Sequence, residues 1–106
     1  GEVCLTAVET GLTGTFRFSV VKKAQLRMPR AETPTHFITM AFDADLDDAA
    51  SEALRDMIRL ITERSNLDPE QAYRLCSLAA DLRVTQLVNL HKGVHAMLPR
   101  WAISSK

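Results

Sequence analysis

The chain has 106 residues, with 13 Lys plus Arg against 13 Asp plus Glu, so its formal net charge is zero. Such a length fits one domain with a modest core. Zero net charge excludes the basic footprint that nucleic-acid binding needs, and no run of about 18 apolar residues exists to span a membrane as a helix.

In chain order, residues 3–9 (VCLTAVE) are rich in β-branched and apolar types and read as a strand. TGLTG at 10–14 is a turn. Residues 15–22 (TFRFSVVK) alternate, with Phe16, Phe18 and Val20 on one face and Thr15, Arg17 and Ser19 on the other. The short loop predicts an antiparallel hairpin from these two strands. The charged, proline-bearing stretch 22–35 reads as an irregular connection, and HFITMAF (36–42) as a third strand.

From Leu46 the period becomes helical. Leu46, Ala49, Ala50, Ala53, Leu54, Met57, Ile58 and Ile61 share one face, and Asp47, Glu52, Arg55, Asp56, Arg59 and Glu63 populate the rest. Asp45 is the expected cap. A second helix starts at Asp68-Pro69 with Gln71 at capping-box spacing, and its inner stripe is Ala72, Leu75, Cys76 and Ala79. LRVTQLV (82–88) and VHAMLP (94–99) return to strand character around the turn NLHKG. The expected fold is therefore α+β, an antiparallel or mixed sheet with a two-helix hairpin packed on it, in the order βββααββ.

Several residues admit both a chemical and a structural reading. His36, His91 and His95 match no compact metal motif, and each alone reads as an exposed or hydrogen-bonded imidazole. Ser77 lacks a GxSxG elbow, so a serine-triad hydrolase is not supported. Cys4 and Cys76 show no CxxC spacing and read as buried, reduced thiols of a cytosolic protein rather than as a disulfide. Asp81 is expected to end the second helix, where a carboxylate needs a partner such as Arg83. The loop ETPTH (32–36) reads equally as a stiff binding loop or an ordinary connection. Trp101 reads as a packing anchor or an interface residue.

Four segments taken in series, GEVCLTAVE, ETPTHFITMAFDADLDDA, DPEQAYRLCSLAADLRVTQLVN and KGVHAMLP, resemble the C-terminal part of the acetamidase/formamidase family. The resemblance covers nearly the whole chain. It implies a single domain over 1–106 that is a C-terminal fragment of a larger amidohydrolase. That enzyme would cleave the C–N bond of small linear amides to carboxylate and ammonia, in the cytoplasm. It also implies a divalent metal, zinc in some relatives, which would polarise the amide carbonyl and supply hydroxide near neutral pH.

The family's opening motif has the form H-x-x-x-G-D-G-E, of which Gly1 and Glu2 are present here. By that match Glu2 is the expected catalytic base or metal ligand. Glu32, Thr33, His36 and Gln86 are carried over as pocket or supporting groups, while His95 matches a family position but reads as a packing residue. The absent upstream histidine and aspartate imply an incomplete site, inactive without the N-terminal part. Expected partners are a small amide, the missing portion and a second copy of the chain, with apolar surface left uncovered where they bind. The competing reading is a non-enzymatic α+β assembly module. A small-ligand binding domain has less behind it, since no Gly-rich phosphate loop is present.

Overall fold

The structure, a computed structural model, describes residues 2–104; Gly1, the first residue of the opening motif fragment, lies outside the described residues. Helix α1 (Leu46–Arg64) begins at the expected cap. The Asp45 carboxylate accepts the backbone N–H groups of Asp47 at 2.8 Å and Asp48 at 3.2 Å, satisfying donors that the first turn leaves unpaired. Helix α2 (Pro69–Ala79) opens with a complete capping box. The Gln71 N–H donates to Asp68 Oδ1 at 2.9 Å, and the Asp68 N–H donates to Gln71 Oε1 at 3.0 Å.

Four strands, β1 (Arg30–Glu32), β2 (His36–Asp43), β3 (Asp81–Gln86) and β4 (Lys92–Pro99), form an antiparallel sheet in the order β1-β2-β4-β3. The two long strands lie in the middle. On one face of this central pair, Phe37, Thr39 and Ala41 stand beside Leu98, Ala96 and Val94, all buried. Helix α1 covers them with Ala49, Ala53, Met57, Leu60 and Ile61, and α2 adds Ala72 and Cys76. Alanines at 49 and 53 bring the α1 backbone close enough for Thr39 Oγ1 to donate to the Ala53 carbonyl at 2.7 Å, which satisfies a fully buried hydroxyl. The alternating residues on the opposite face, among them Ile38, Met40, Phe42, His95 and Met97, are only half-buried.

The α+β class and the helix pair on an antiparallel sheet are as the sequence predicts. With the isolated parallel bridge between Glu2 and Gln86 counted beside β1 and β2, three extended segments precede the helices and two strands follow. The first of these segments nevertheless differ from the expected hairpin. Residues 3–9 and 15–22 form no strands, and Val8, Phe16 and Phe18 are 96%, 78% and 91% exposed. The reason is physical: a two-stranded hairpin is marginal in water, and neither run has an apolar surface of this chain to bury against.

Strand β1 arises instead inside the stretch expected to be irregular. Its anchor is Asp56, which the helical wheel assigns to the polar face but which is 4% exposed. Arg30 donates from Nε and Nη2 to the two Asp56 carboxylate oxygens, each at 2.8 Å, and from Nη1 to Glu63 at 2.7 Å. Other departures are smaller. Asp81 opens β3 rather than ending α2, and pairs with Arg83 at 3.6 Å. Cys76 is buried, and burial pushes its thiol pKa up, whereas Cys4 is exposed. Ser77 is exposed rather than packed between the helices, and Trp101, 82% exposed, is no internal anchor.

Asp56→Ala strands the Arg30 guanidinium and should cost about 3–5 kcal/mol in urea denaturation, whereas Arg30→Met with Asp56→Leu should restore most of it. Arg30 holds the Asp56 carboxyl below its usual range, against the effect of burial. Its contribution is therefore complete above the unfolded pKa, about 3.9, and is lost as pH falls through the lower folded value. Denaturation midpoints of the wild type should drop below that pH more steeply than those of the double variant. At Gly93 an added Cβ would lie 2.7 Å from Phe42 Cε1 and 3.0 Å from Thr85 Cβ, so Gly93→Ala should destabilise by about 1–3 kcal/mol in the same assay.

Candidate functional site

The antiparallel register fixes where each expected site residue falls. His36 pairs with Pro99 at one end of the sheet, and Gln86 pairs with Gly93 at the other. Six residue steps along β4 separate these ends, roughly 20 Å at about 3.4 Å per residue. The expected set thus divides into two groups, Glu2 with Gln86 and Glu32 with Thr33 and His36.

The second group holds one end of the fold together. Thr33 Oγ1 accepts the backbone N–H of His36 at 2.9 Å and of Thr35 at 3.2 Å, closing the turn between β1 and β2. The Thr35 hydroxyl lies 2.8 Å from His36 Nδ1. Arg100, just beyond β4, donates from Nε to the Thr33 carbonyl at 2.8 Å and from its backbone N–H to the Thr35 carbonyl at 2.9 Å. Its Nη2 also reaches Glu32 at 2.6 Å, while Arg64 at the end of α1 takes the other Glu32 oxygen at 2.5 Å. Both guanidiniums lie over the Phe37 ring, 4.4 Å from the centroid for Arg100 and 5.8 Å for Arg64. Glu32 lines a groove of about 260 Å³ with Leu26, Arg30, Ala31, Leu60 and Arg64, but its two oxygens are already engaged.

The first group sits on the outer edge of β3. The Glu2 N–H donates to the Thr85 carbonyl at 3.0 Å, and the Leu87 N–H donates to the Glu2 carbonyl at 2.8 Å. These bonds place Glu2 alongside Gln86 at a bulge, where the pairing of β3 with β4 shifts between Val84 and Gln86. The Glu2 carboxylate is exposed and accepts from Asn89 Nδ2 at 3.4 Å. Gln86 Nε2 donates to the carbonyls of His91 at 2.9 Å and Val88 at 3.4 Å, which ties the turn before β4 to the strand end. Asn89 and Leu90 in that turn adopt φ of 68°, the left-handed region that asparagine tolerates better than leucine.

Two residues not chosen from the sequence join this end. Thr85 Oγ1 lies 2.7 Å from His95 Nδ1, and the Thr85 backbone carbonyl is the one that holds Glu2. Burial lowers the His95 pKa, and Arg83, opposite it on β3, lowers it further, which keeps the imidazole neutral at neutral pH. His95 was expected to be a packing residue; it is half-buried on the face opposite the helices. The signal that could have found the pair is the alternation of LRVTQ, which places Arg83 and Thr85 on one face of β3. Among the described residues no three His, Cys, Asp or Glu side chains come together to hold a metal ion, and Glu2 alone supplies a single ligand at most. The residues of this segment therefore do not fit a complete metal site.

No protein-family model and no curated protein matches the chain. Solved structures do. An acetamidase from Bacillus halodurans is 37% identical with a TM-score of 0.67, over 74% of this chain and 26% of its own. A predicted acetamidase/formamidase from the thermophile Thermoanaerobacter tengcongensis is 28% identical with a TM-score of 0.69, over 76% and 27%. An acetamidase from Yersinia enterocolitica is 27% identical with a TM-score of 0.76, over 80% and 26%. The chain spans about a quarter of the length of each of these proteins. It fits, in fold and in sequence, a fragment of the acetamidase/formamidase family.

Proposed function

We propose that this chain is the C-terminal part of an amidohydrolase that cleaves small linear amides of the formamide or acetamide type to carboxylate and ammonia. The observation that carries the reading is the joint likeness in fold and sequence to acetamidase structures, 37% identical in one case. In this reading Glu2 is the general base on the attacking water, and Gln86 beside it contributes a supporting amide. An exposed carboxylate held by its main chain suits that role, since its side chain is left free to meet substrate. Glu32, Thr33 and His36 would meet the complementing portion of the protein at the far end of the sheet. A divalent metal such as zinc would draw its remaining ligands from that portion. Free thiols at Cys4 and Cys76 are in keeping with a cytoplasmic location.

A second reading, an assembly module without chemistry, is favoured by the amino-terminal segment. Val3, Leu5, Leu12, Phe16, Phe18, Val20 and Val21 are all at least 72% exposed. In both readings these side chains are covered by other polypeptide, the missing portion or a second copy.

Purified alone, the chain should hydrolyse neither formamide nor acetamide, as measured by ammonia release, and turnover by residues 1–106 alone would overturn the claim of an incomplete site. Assembled with the complementing portion, the wild type should be active. Glu2→Gln should then lose activity by a factor of about 100 or more, with an unchanged circular dichroism spectrum. Full activity in that variant would favour the assembly reading. In sedimentation velocity the isolated chain should self-associate as its concentration rises, and a single monomeric species throughout would count against a partner for the amino-terminal segment.

A further inference from the structure

The half-buried side of the sheet carries a hydrogen-bonded pair whose geometry suits proton transfer. Thr85 Oγ1 meets His95 Nδ1 at 2.7 Å across the bulged end of β3. No buried side-chain nitrogen among the described residues lacks a hydrogen-bond partner, and the bond to Thr85 involves Nδ1. Nε2 is thus the ring nitrogen that Thr85 does not engage. The strands flanking His95 bring few competing groups to this face. Opposite it stand Met40 on β2 and Arg83 on β3, with Asp81 further along β3 and paired to Arg83. The bulge is what makes the contact. The extra residue at Thr85 falls between the pairs Val84–Val94 and Gln86–Gly93, and its side chain packs beside Gly93, in space that a Cβ there would contest with Thr85 and the Phe42 ring.

We propose that Thr85 is a positioning residue that fixes His95 as the Nδ1–H tautomer, so that Nε2 presents its lone pair to a small polar substrate or its attacking water. The proposal rests on the amidohydrolase reading for its chemical role, and it goes beyond that reading by assigning a second proton-transfer group and the residue that orients it. Nδ1–H donates to Thr85 Oγ1; Glu2 takes one proton of the attacking water, and Nε2 accepts the other as the carboxylate forms and then passes it to the departing nitrogen. Glu2 and this pair are linked through one residue, because the Thr85 carbonyl holds the Glu2 amide. The same strand end thereby sets the position of both groups.

The test has two independent readouts. Long-range nitrogen–proton NMR on the full chain at neutral pH should show His95 as the Nδ1–H tautomer. Thr85→Val should abolish that preference and Thr85→Ser should restore it. A dominant Nε2–H tautomer in the wild type, or one unaffected by Thr85→Val, would overturn the proposal whatever the activity. In the protein assembled with its complementing portion, Thr85→Val should lower kcat about tenfold or more with little change in KM, Thr85→Ser should recover it, and His95→Gln should be at least as damaging. Full activity in His95→Gln would overturn the proton-transfer role. A correct tautomer in an assembled protein with no amide turnover would overturn that role together with the amidohydrolase reading, while leaving the Thr85–His95 bond established.

Discussion

The structure depends on a carboxylate buried in the middle of its main helix. Asp56 occupies the inner side of α1, 4% exposed, where an unpaired charge would be costly. Arg30 answers it with a two-bonded fork, and that requirement pulls the chain before β2 onto the helix. Strand β1 exists because of it: three residues with little apolar content find a place beside β2 once Arg30 is fixed. Glu32, two residues on, then falls within reach of Arg64 and Arg100 and closes that end of the sheet. A buried pair of this kind adds little net stability compared with apolar residues of the same shape. What it supplies is register, since no other position on α1 offers Arg30 a buried carboxylate.

Because both helices lie on one face, the two faces of the sheet have different roles. The helix face is filled mostly by small and branched residues, and among the described residues no buried side-chain polar atom is left unsatisfied. The opposite face carries His95, Arg83 and Thr85 among half-buried apolar neighbours. The two ends differ as well. At the Arg100 end, polar groups are mutually engaged in ion pairs and turn bonds. At the Glu2 end, a carboxylate is exposed and an imidazole is held by Thr85 through one ring nitrogen. A division of this sort leaves the engaged polar groups at one end and the exposed carboxylate at the other.

Much of this was legible in the sequence where local physics decides. The caps at Asp45 and Asp68, most of the α1 stripe and the strand at HFITMAF all depend on near neighbours, and they appear as read, although Leu60 joins the buried face as well. What was not legible depends on distant partners. Asp56 looks like a surface residue on a helical wheel because its partner lies 26 positions away. TFRFSVVK reads as a strand because its alternation is correct, yet alternation supplies only a face and not the surface that buries it. The likeness of the opening residues to a family motif directed attention to Glu2, but nothing in that motif pointed to Thr85 or His95. The alternation of LRVTQ puts Thr85 on the Arg83 side of β3, but the contact with His95 also depends on the bulge, which periodicity does not announce.

The manner in which Glu2 is held leaves its carboxylate little part in folding. Both anchoring bonds use the main chain, the N–H to Thr85 and the carbonyl to Leu87, so any residue at this position would be held in the same way. The carboxylate makes only the long contact with Asn89, at 3.4 Å, and is exposed, so it adds little to stability. A carboxylate contributing so little to the fold is explained more readily by what it meets than by what it supports. Asp56 is the opposite case, an acid fully occupied by the fold and unavailable for reaction. The contrast between these two acids, one spent on structure and one left free at a strand edge, is the strongest internal argument for placing chemistry at the Glu2 end.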